Sequence, residues 1–206
     1  MKYQLLLWSL IAAIIGIESY KNSPTTAKPA PIFESVIEEV RSQIPSNLQL
    51  RLPGFIPQVS EEITLYSFIP DRDLDLINLG DEDLDTFMVV VSQIPDCHQA
   101  KNPLDCIVGI VGVSETSPDS KLELDDLPED IEDLTAIELN QSTQGYYFIQ
   151  NEDYQLVIWE QENLAHLLIA RHCEENCLDK QDMTKMAISA ANEPAISSQD
   201  SSYYPY

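Results

Sequence analysis

The sequence predicts an α+β domain, with an N-terminal helix, a mainly antiparallel sheet of about seven strands and a C-terminal helix. Apolar residues repeat with helical spacing over 31–44 and again over 179–191, and strand-like runs fill the chain between them. Helices that are segregated from an antiparallel sheet define the α+β class. We therefore expect one domain over residues 31–192.

The first helix is predicted from one apolar stripe, formed by Phe33, Val36, Ile37, Val40 and Ile44. Proline suits its first turn at position 31, and a second proline at position 45 ends it.

Strands follow from alternation or from β-branched and aromatic content. In the first half of the chain they are predicted over 48–52, 63–69, 86–94 and 106–113. The last two are apolar on both faces, which is typical of strands inside a sheet. The acidic stretch Ser114–Asp133 is predicted to be a solvated loop.

The second half predicts an antiparallel meander and a helix. Strands are expected over 145–149, 154–160 and 164–170, because short polar turns separate them. Asp179 can cap the final helix. Five of its residues or neighbours can face a core: Leu178, Met183, Met186, Ala187 and Ala190.

The chain ends predict export. Residues 1–19 contain a short basic segment and an apolar run of 13 residues, Leu5–Ile17, which suits a signal peptide. A membrane-spanning helix needs roughly 20 apolar residues. Residues 20–30 are predicted to be a linker and residues 193–206 a disordered tail. We therefore expect a periplasmic or secreted protein that touches a membrane only if the signal is not cleaved.

The charge balance restricts the class of partner. The chain carries 11 Lys and Arg residues against 35 Asp and Glu residues, a net charge of −24. Such a field repels phosphate backbones and anionic lipid surfaces, so nucleic-acid binding is not expected. An envelope or extracellular protein with a basic surface is one candidate partner, and maintenance of solubility is the simpler explanation.

Four cysteines, Cys97, Cys106, Cys173 and Cys177, suggest disulfides in an exported protein. Four cysteines allow three pairings, and sequence proximity favours Cys97–Cys106 and Cys173–Cys177. A zinc site is the alternative, with His98 and His172 as further ligands. The absence of a Cys-x-x-Cys motif disfavours both zinc and a redox-active pair.

Other candidate sites have weak signals. Asp71, Asp73, Asp75 and Glu82 match positions 1, 3, 5 and 12 of a calcium loop, but Leu76 stands where that loop needs glycine. No Gly-x-Ser-x-Gly elbow or glycine-rich phosphate loop is present. No metal or cofactor is therefore expected.

His166 is the residue on which an enzyme hypothesis depends. It shares a strand face with Leu164 and Leu168, so a core histidine is the simpler interpretation. Glu160 and Glu162 would share one face of a strand and could run acid–base chemistry. Four aromatic residues could form a stacking surface or pack in the core: Trp159, Tyr146, Tyr147 and Tyr154.

Five segments resemble a family of small secreted cyanobacterial proteins of uncharacterised function: "LRLPGFIP", "DCHQAKNPLDC", "GYYF" at 145–148, "VIWEQENLAHLLI" at 157–169 and "MAISAA". The likeness covers roughly residues 46–192. More distantly, the chain is similar to DUF4367-type modules of envelope and anti-sigma proteins.

The resemblance implies a Cys97–Cys106 disulfide and no known enzyme activity. Two features depart from the family pattern: Cys173 and Cys177 follow the last strand rather than preceding the Trp strand, and the acidic insertion 114–133 is unusual. We expect a disulfide-stapled, acidic, non-enzymatic binding or envelope-associated protein. A hydrolase using His166 and nearby carboxylates and an envelope sensor module are the alternatives.

Overall fold

The computed structural model describes residues 28–57, 64–70, 85–101, 105–116, 131–172 and 178–198. Seven antiparallel strands form one sheet in the order β1-β2-β3-β7-β6-β5-β4. Their bounds are Tyr66–Phe68 (β1), Thr86–Ser92 (β2), Ile107–Glu115 (β3), Ile131–Glu138 (β4), Gln144–Gln150 (β5), Tyr154–Gln161 (β6) and Leu164–Arg171 (β7). The helices are α1 (Ile37–Gln43) and α2 (Lys180–Asn192), with 3₁₀ turns at Pro31–Phe33 and Cys97–Gln99. The predicted α+β class is confirmed.

The sheet is apolar on both faces. One face packs with both helices, and we call it the helix face; it includes Val111, Val157 and Leu168 of the sheet with Val40 of α1 and Met183 of α2. The opposite face carries a second buried cluster, which includes Val90, Ile110, Phe148, Leu156 and Leu167. Strands with two buried faces have continuous apolar sequences, which explains the composition of β2 and β3.

The predicted meander and final helix are confirmed. Strands β4 to β7 pair in sequence. The β6–β7 turn has positive φ at both Glu162 and Asn163, as tight hairpin turns with right-handed twist require. Asp179 caps α2, and its Oδ1 accepts from the N–H of Asp182 at 2.8 Å. The five predicted core residues at α2 are all buried.

Two assignments were wrong: one predicted strand is absent from the sheet, and one strand was predicted to be loop. The expected total of seven strands is therefore unchanged. Residues 48–52 form no strand of the sheet. Leu48, Leu50 and Leu52 are fully buried, and Leu50 makes one isolated antiparallel bridge with Ile196. Conversely, strand β3 extends to Glu115 and β4 begins at Ile131, so both ends of the predicted acidic loop are strand. Side chains of β4 are mostly exposed, which gives this edge strand a polar composition.

Residues just outside the predicted limits of 31 and 192 also pack against the domain. Ala30, assigned to the linker, is buried, and its N–H donates to the carbonyl of Pro53. Ile196, assigned to the disordered tail, is 4% exposed and exchanges two backbone hydrogen bonds with Leu50. The first helix is shorter than predicted, because residues 31–36 form a 3₁₀ turn and a further hydrogen-bonded turn before α1. The predicted signal at 1–19 lies outside the described residues. Across the described parts of the chain, no helix is long and apolar enough to cross a membrane.

Candidate functional site

Trp159 and His166 form the centre of the site that the sequence singled out. They face each other on neighbouring strands β6 and β7, where they are paired in register. Their rings stack with centroids 5.2 Å apart and planes inclined by 16°. Both lie on the helix face of the sheet and are almost completely buried, at 1% and 2% exposure.

His166 is held in its neutral form. Burial lowers its pKa to about 4, with a contribution from the positive charge of Arg51, and a backbone hydrogen bond with Gln161 only partly offsets this. Its Nδ1 atom has no hydrogen-bond partner among the described residues. A general base works best with a pKa near the operating pH and with access to substrate, and His166 has neither. The interpretation as a core histidine therefore fits the geometry.

Arg51 links three separate segments beside this stack. Its side chain is 10% exposed. One terminal nitrogen, Nη1, donates to the backbone carbonyl of Glu193, and Nη2 lies 3.0 Å from a carboxylate oxygen of Glu162. Burial raises the pKa of the Glu193 carboxyl. The guanidinium thus connects the segment after α1 with the β6–β7 turn and the end of α2.

Glu160 and Glu162 do not share a strand face, contrary to the prediction. Strand β6 ends at Gln161, and Glu162 occupies the turn with a φ of 58°. There its carboxylate pairs with Arg51. Glu160 therefore stays in the strand, while Glu162 leaves it and is paired with a cation.

The aromatic residues differ in how deeply they are buried. Trp159 and Tyr147 are buried in the helix-face core, whereas Tyr146 and Tyr154 are half-buried. Lys180 lies 4.8 Å from the centre of the Tyr147 ring. Burial, and then the negative charges of nearby aspartates, raise the pKa of Tyr147. Trp159 and Tyr147 therefore belong to the core and do not form an exposed stacking surface.

The first predicted disulfide is confirmed. Cys97 and Cys106 are bonded, with their Cα atoms 5.8 Å apart, and both pack into the second buried cluster. Neither sulfur is available as a zinc ligand. The proposed partners Cys173 and Cys177 lie outside the described residues, as does the calcium-loop match at 71–82. Where the structure describes the chain, no group of three or more His, Cys, Asp or Glu residues is placed to hold a metal ion.

Sequence reasoning missed two polar contacts. The alternation over 48–52 predicts a half-buried strand with its polar residues in solvent, whereas the Arg51 side chain is 10% exposed and contacts Glu162 and Glu193. Lys180 bridges two chain segments: its Nζ lies 3.0 Å from Asp133 Oδ2 and 2.8 Å from Thr135 Oγ1. No local sequence pattern predicts a contact between residues that are 45 positions apart.

The two edges of the sheet differ. Strand β1 has three residues, and Ser67 in it donates to the carbonyl of Ile32 at 2.6 Å. Strand β4 has eight residues and pairs with β5 alone within the described part of the chain. Its exposed residues include Glu132, Leu134, Ala136 and Glu138. Among the described residues, β4 is therefore the longer edge strand, and no strand pairs with its outer side.

The comparisons with known proteins found no relative of this chain. No protein-family model matches the chain, and neither the curated proteins nor the solved structures contain a match.

Proposed function

We propose that this domain works outside the cytoplasm as a binding or envelope-associated protein that recognises a basic partner and performs no chemistry. The observation that carries the proposal is the placement of His166, the residue on which the hydrolase alternative depends. It is sealed between the sheet and the helices, stacked on Trp159 and neutral at physiological pH.

Export is part of the proposal. The Cys97–Cys106 disulfide forms and persists in oxidising compartments such as the periplasm or the extracellular space. The apolar run near the N-terminus supports the same location. Kinship with the small secreted cyanobacterial proteins agrees with this proposal and stays a prediction.

Charge suggests the chemistry of the partner. With a net charge of −24, the protein attracts basic surfaces over distances comparable to the Debye length and repels acidic ones. Association driven by this field weakens as salt rises, because exposed charges are screened beyond about 8 Å at physiological ionic strength. The hydrolase and sensor alternatives have no comparable observation in their favour.

The test uses the full chain purified with its disulfide intact. The protein is immobilised and exposed to envelope extract from its own source at low and at physiological salt. We expect basic proteins to be retained at low salt and to be lost as salt rises. In parallel, a hydrolase substrate screen compares the wild type with His166→Phe. Turnover that is lost in a folded His166→Phe variant would refute the proposal.

A further inference from the structure

The outer edge of β4 offers backbone hydrogen-bonding groups to another strand. The N–H of Leu139 donates to the carbonyl of Thr143, next to the β4–β5 turn. Because successive residues of an antiparallel strand direct their backbone groups to opposite sides, Ile137 and Thr135 also point toward β5. Ala136 and Glu138 therefore point their N–H and C=O groups away from the sheet.

The regular part of this edge is short and anchored. The register shifts between Glu132 and Thr135, and Asp133 has a φ of 52°, so the first half of β4 bulges. Lys180 holds the bulge through Asp133 and Thr135. Bulges commonly protect sheet edges from pairing with another strand. In β4 the bulge protects the first half, whereas residues 135–138 keep a regular register and can pair.

The side chains at the edge indicate the chemistry of an added strand. Glu132 and Glu138 are exposed, and Leu134 is 42% exposed between them. Opposite charges on facing strands stabilise pairing, and like charges destabilise it. A second copy of this chain would bring its own β4 carboxylates and its net charge of −24 to the same edge, so self-pairing is disfavoured.

We propose that the outer edge of β4, at residues 134–138, binds an extended basic segment of a partner protein by strand addition. In this mode, main-chain hydrogen bonds supply affinity and alternate side chains supply specificity. Lysine or arginine of the added strand would face Glu138, and the aliphatic part of another such side chain on the same face would cover Leu134. The inference rests on the proposed function, since it names the surface that the basic partner uses.

The experiment uses a short fluorescent peptide of alternating lysine and threonine, titrated against the full chain by fluorescence anisotropy. Ala136→Pro removes one outward N–H, and proline is tolerated at such positions on edge strands. Ala136→Val is the matched control, because it keeps that N–H. We expect Ala136→Pro to weaken binding at least tenfold relative to Ala136→Val.

Two further arms separate backbone pairing from general charge attraction. A peptide that is N-methylated at alternate residues keeps its charge but cannot pair, and we expect its binding to be lost. Glu138→Lys should weaken binding more than Glu34→Lys, the same charge change at an exposed residue beside the 3₁₀ turn that contacts β1.

The possible outcomes are distinct. Equal binding by Ala136→Pro and Ala136→Val, or by the methylated peptide, overturns strand addition and leaves a basic partner bound elsewhere. No saturable binding of the unmodified peptide at low salt also overturns it, and the extract experiment then decides the proposed function separately. If Ala136→Pro does not fold, the methylated peptide gives the same decision with wild-type protein.

Discussion

His166 and Trp159 stack face to face from paired positions on β7 and β6, with ring centroids 5.2 Å apart. The contact places an ionisable ring in the middle of the helix-face core. A buried imidazole is tolerated there because it stays uncharged. The protein's response to acid should reveal this arrangement.

The first prediction concerns pH. The pKa of His166 is about 4 in the folded protein and near 6.5 when the chain is unfolded. Between these pH values the unfolded state binds more protons than the folded state. The stability that comes from burying a neutral His166 is therefore fully present above pH 6.5 and is lost as the pH falls toward 4. The stability of the wild type minus that of His166→Phe should fall by about 3 kcal/mol between pH 7 and pH 4. Urea unfolding across this range measures the difference, and a flat curve would contradict it.

The second prediction concerns the cation beside the stack. Arg51→Met removes the positive charge that disfavours protonation of His166, so the pKa of His166 should rise. Glu162→Gln is the control: it keeps the cation and removes only a partner that is 56% exposed. It should change the free energy of unfolding by less than about 1 kcal/mol. NMR titration of the imidazole protons reads the pKa, and an unchanged value in Arg51→Met would contradict the prediction.

The third prediction tests the end of the domain. Ile196→Ala removes a side chain that is 4% exposed and should cost about 2–4 kcal/mol of folding stability. Ile188→Ala makes the same change on α2, where the side chain is 38% exposed, and should cost about 0.5 kcal/mol or less. Chemical denaturation compares the two variants. Similar costs for both would mean that residue 196 is not packed in solution.

The fourth prediction concerns two glycines of β3. A Cβ atom at Gly109 would lie 2.9 Å from the backbone oxygen of Ile169, which the β3–β7 ladder holds in place. At Gly112 it would instead meet the end of the Leu167 side chain at 3.1 Å, which can move. Gly109→Ala should therefore destabilise the protein by about 1–3 kcal/mol, and Gly112→Ala by clearly less. The reverse order in thermal unfolding would rule out this explanation.

The fifth prediction concerns the cysteines. Replacing Cys97 and Cys106 by alanine should cost about 2.7 kcal/mol, the loop-closure value for a bond between residues nine positions apart. Peptide mapping without reduction should recover the Cys97–Cys106 link. The same map tests Cys173–Cys177, which stays a prediction. Four free thiols in protein purified from an oxidising compartment would contradict both pairings.

Periodicity in the sequence was sufficient to predict the helices and the interior strands, because each of them buries a regular set of apolar residues. It was insufficient at β4 for a physical reason. An edge strand with one neighbour and mostly exposed side chains needs few apolar residues, so its composition resembles that of a loop. At 48–52 the alternation was real, but the buried leucines face the core while the backbone pairs with Ile196 at the chain's far end.

The candidate site was predictable only in part. Burial of His166 followed from its neighbours on the same strand face, Leu164 and Leu168. Its stacking on Trp159 depends on the register between β6 and β7, which the two-residue turn sets. The contact of Arg51 with Glu193 joins residues far apart in sequence, and no local rule anticipates it.

The ladder between β3 and β7 has a consequence for how the chain folds. It joins the three strands β1 to β3 to the four strands β4 to β7, and the paired residues are roughly 50–60 positions apart in sequence. Strands β2 and β3, and the successive strands from β4 to β7, instead pair with their neighbours in sequence. We expect the local hairpins to form first and this ladder to close last. Until it closes, β3 and β7 both present open apolar edges, which are templates for aggregation and strand exchange between molecules. We expect the net charge of −24 to oppose contacts between such chains during that interval, so that acidity protects the chain while it folds.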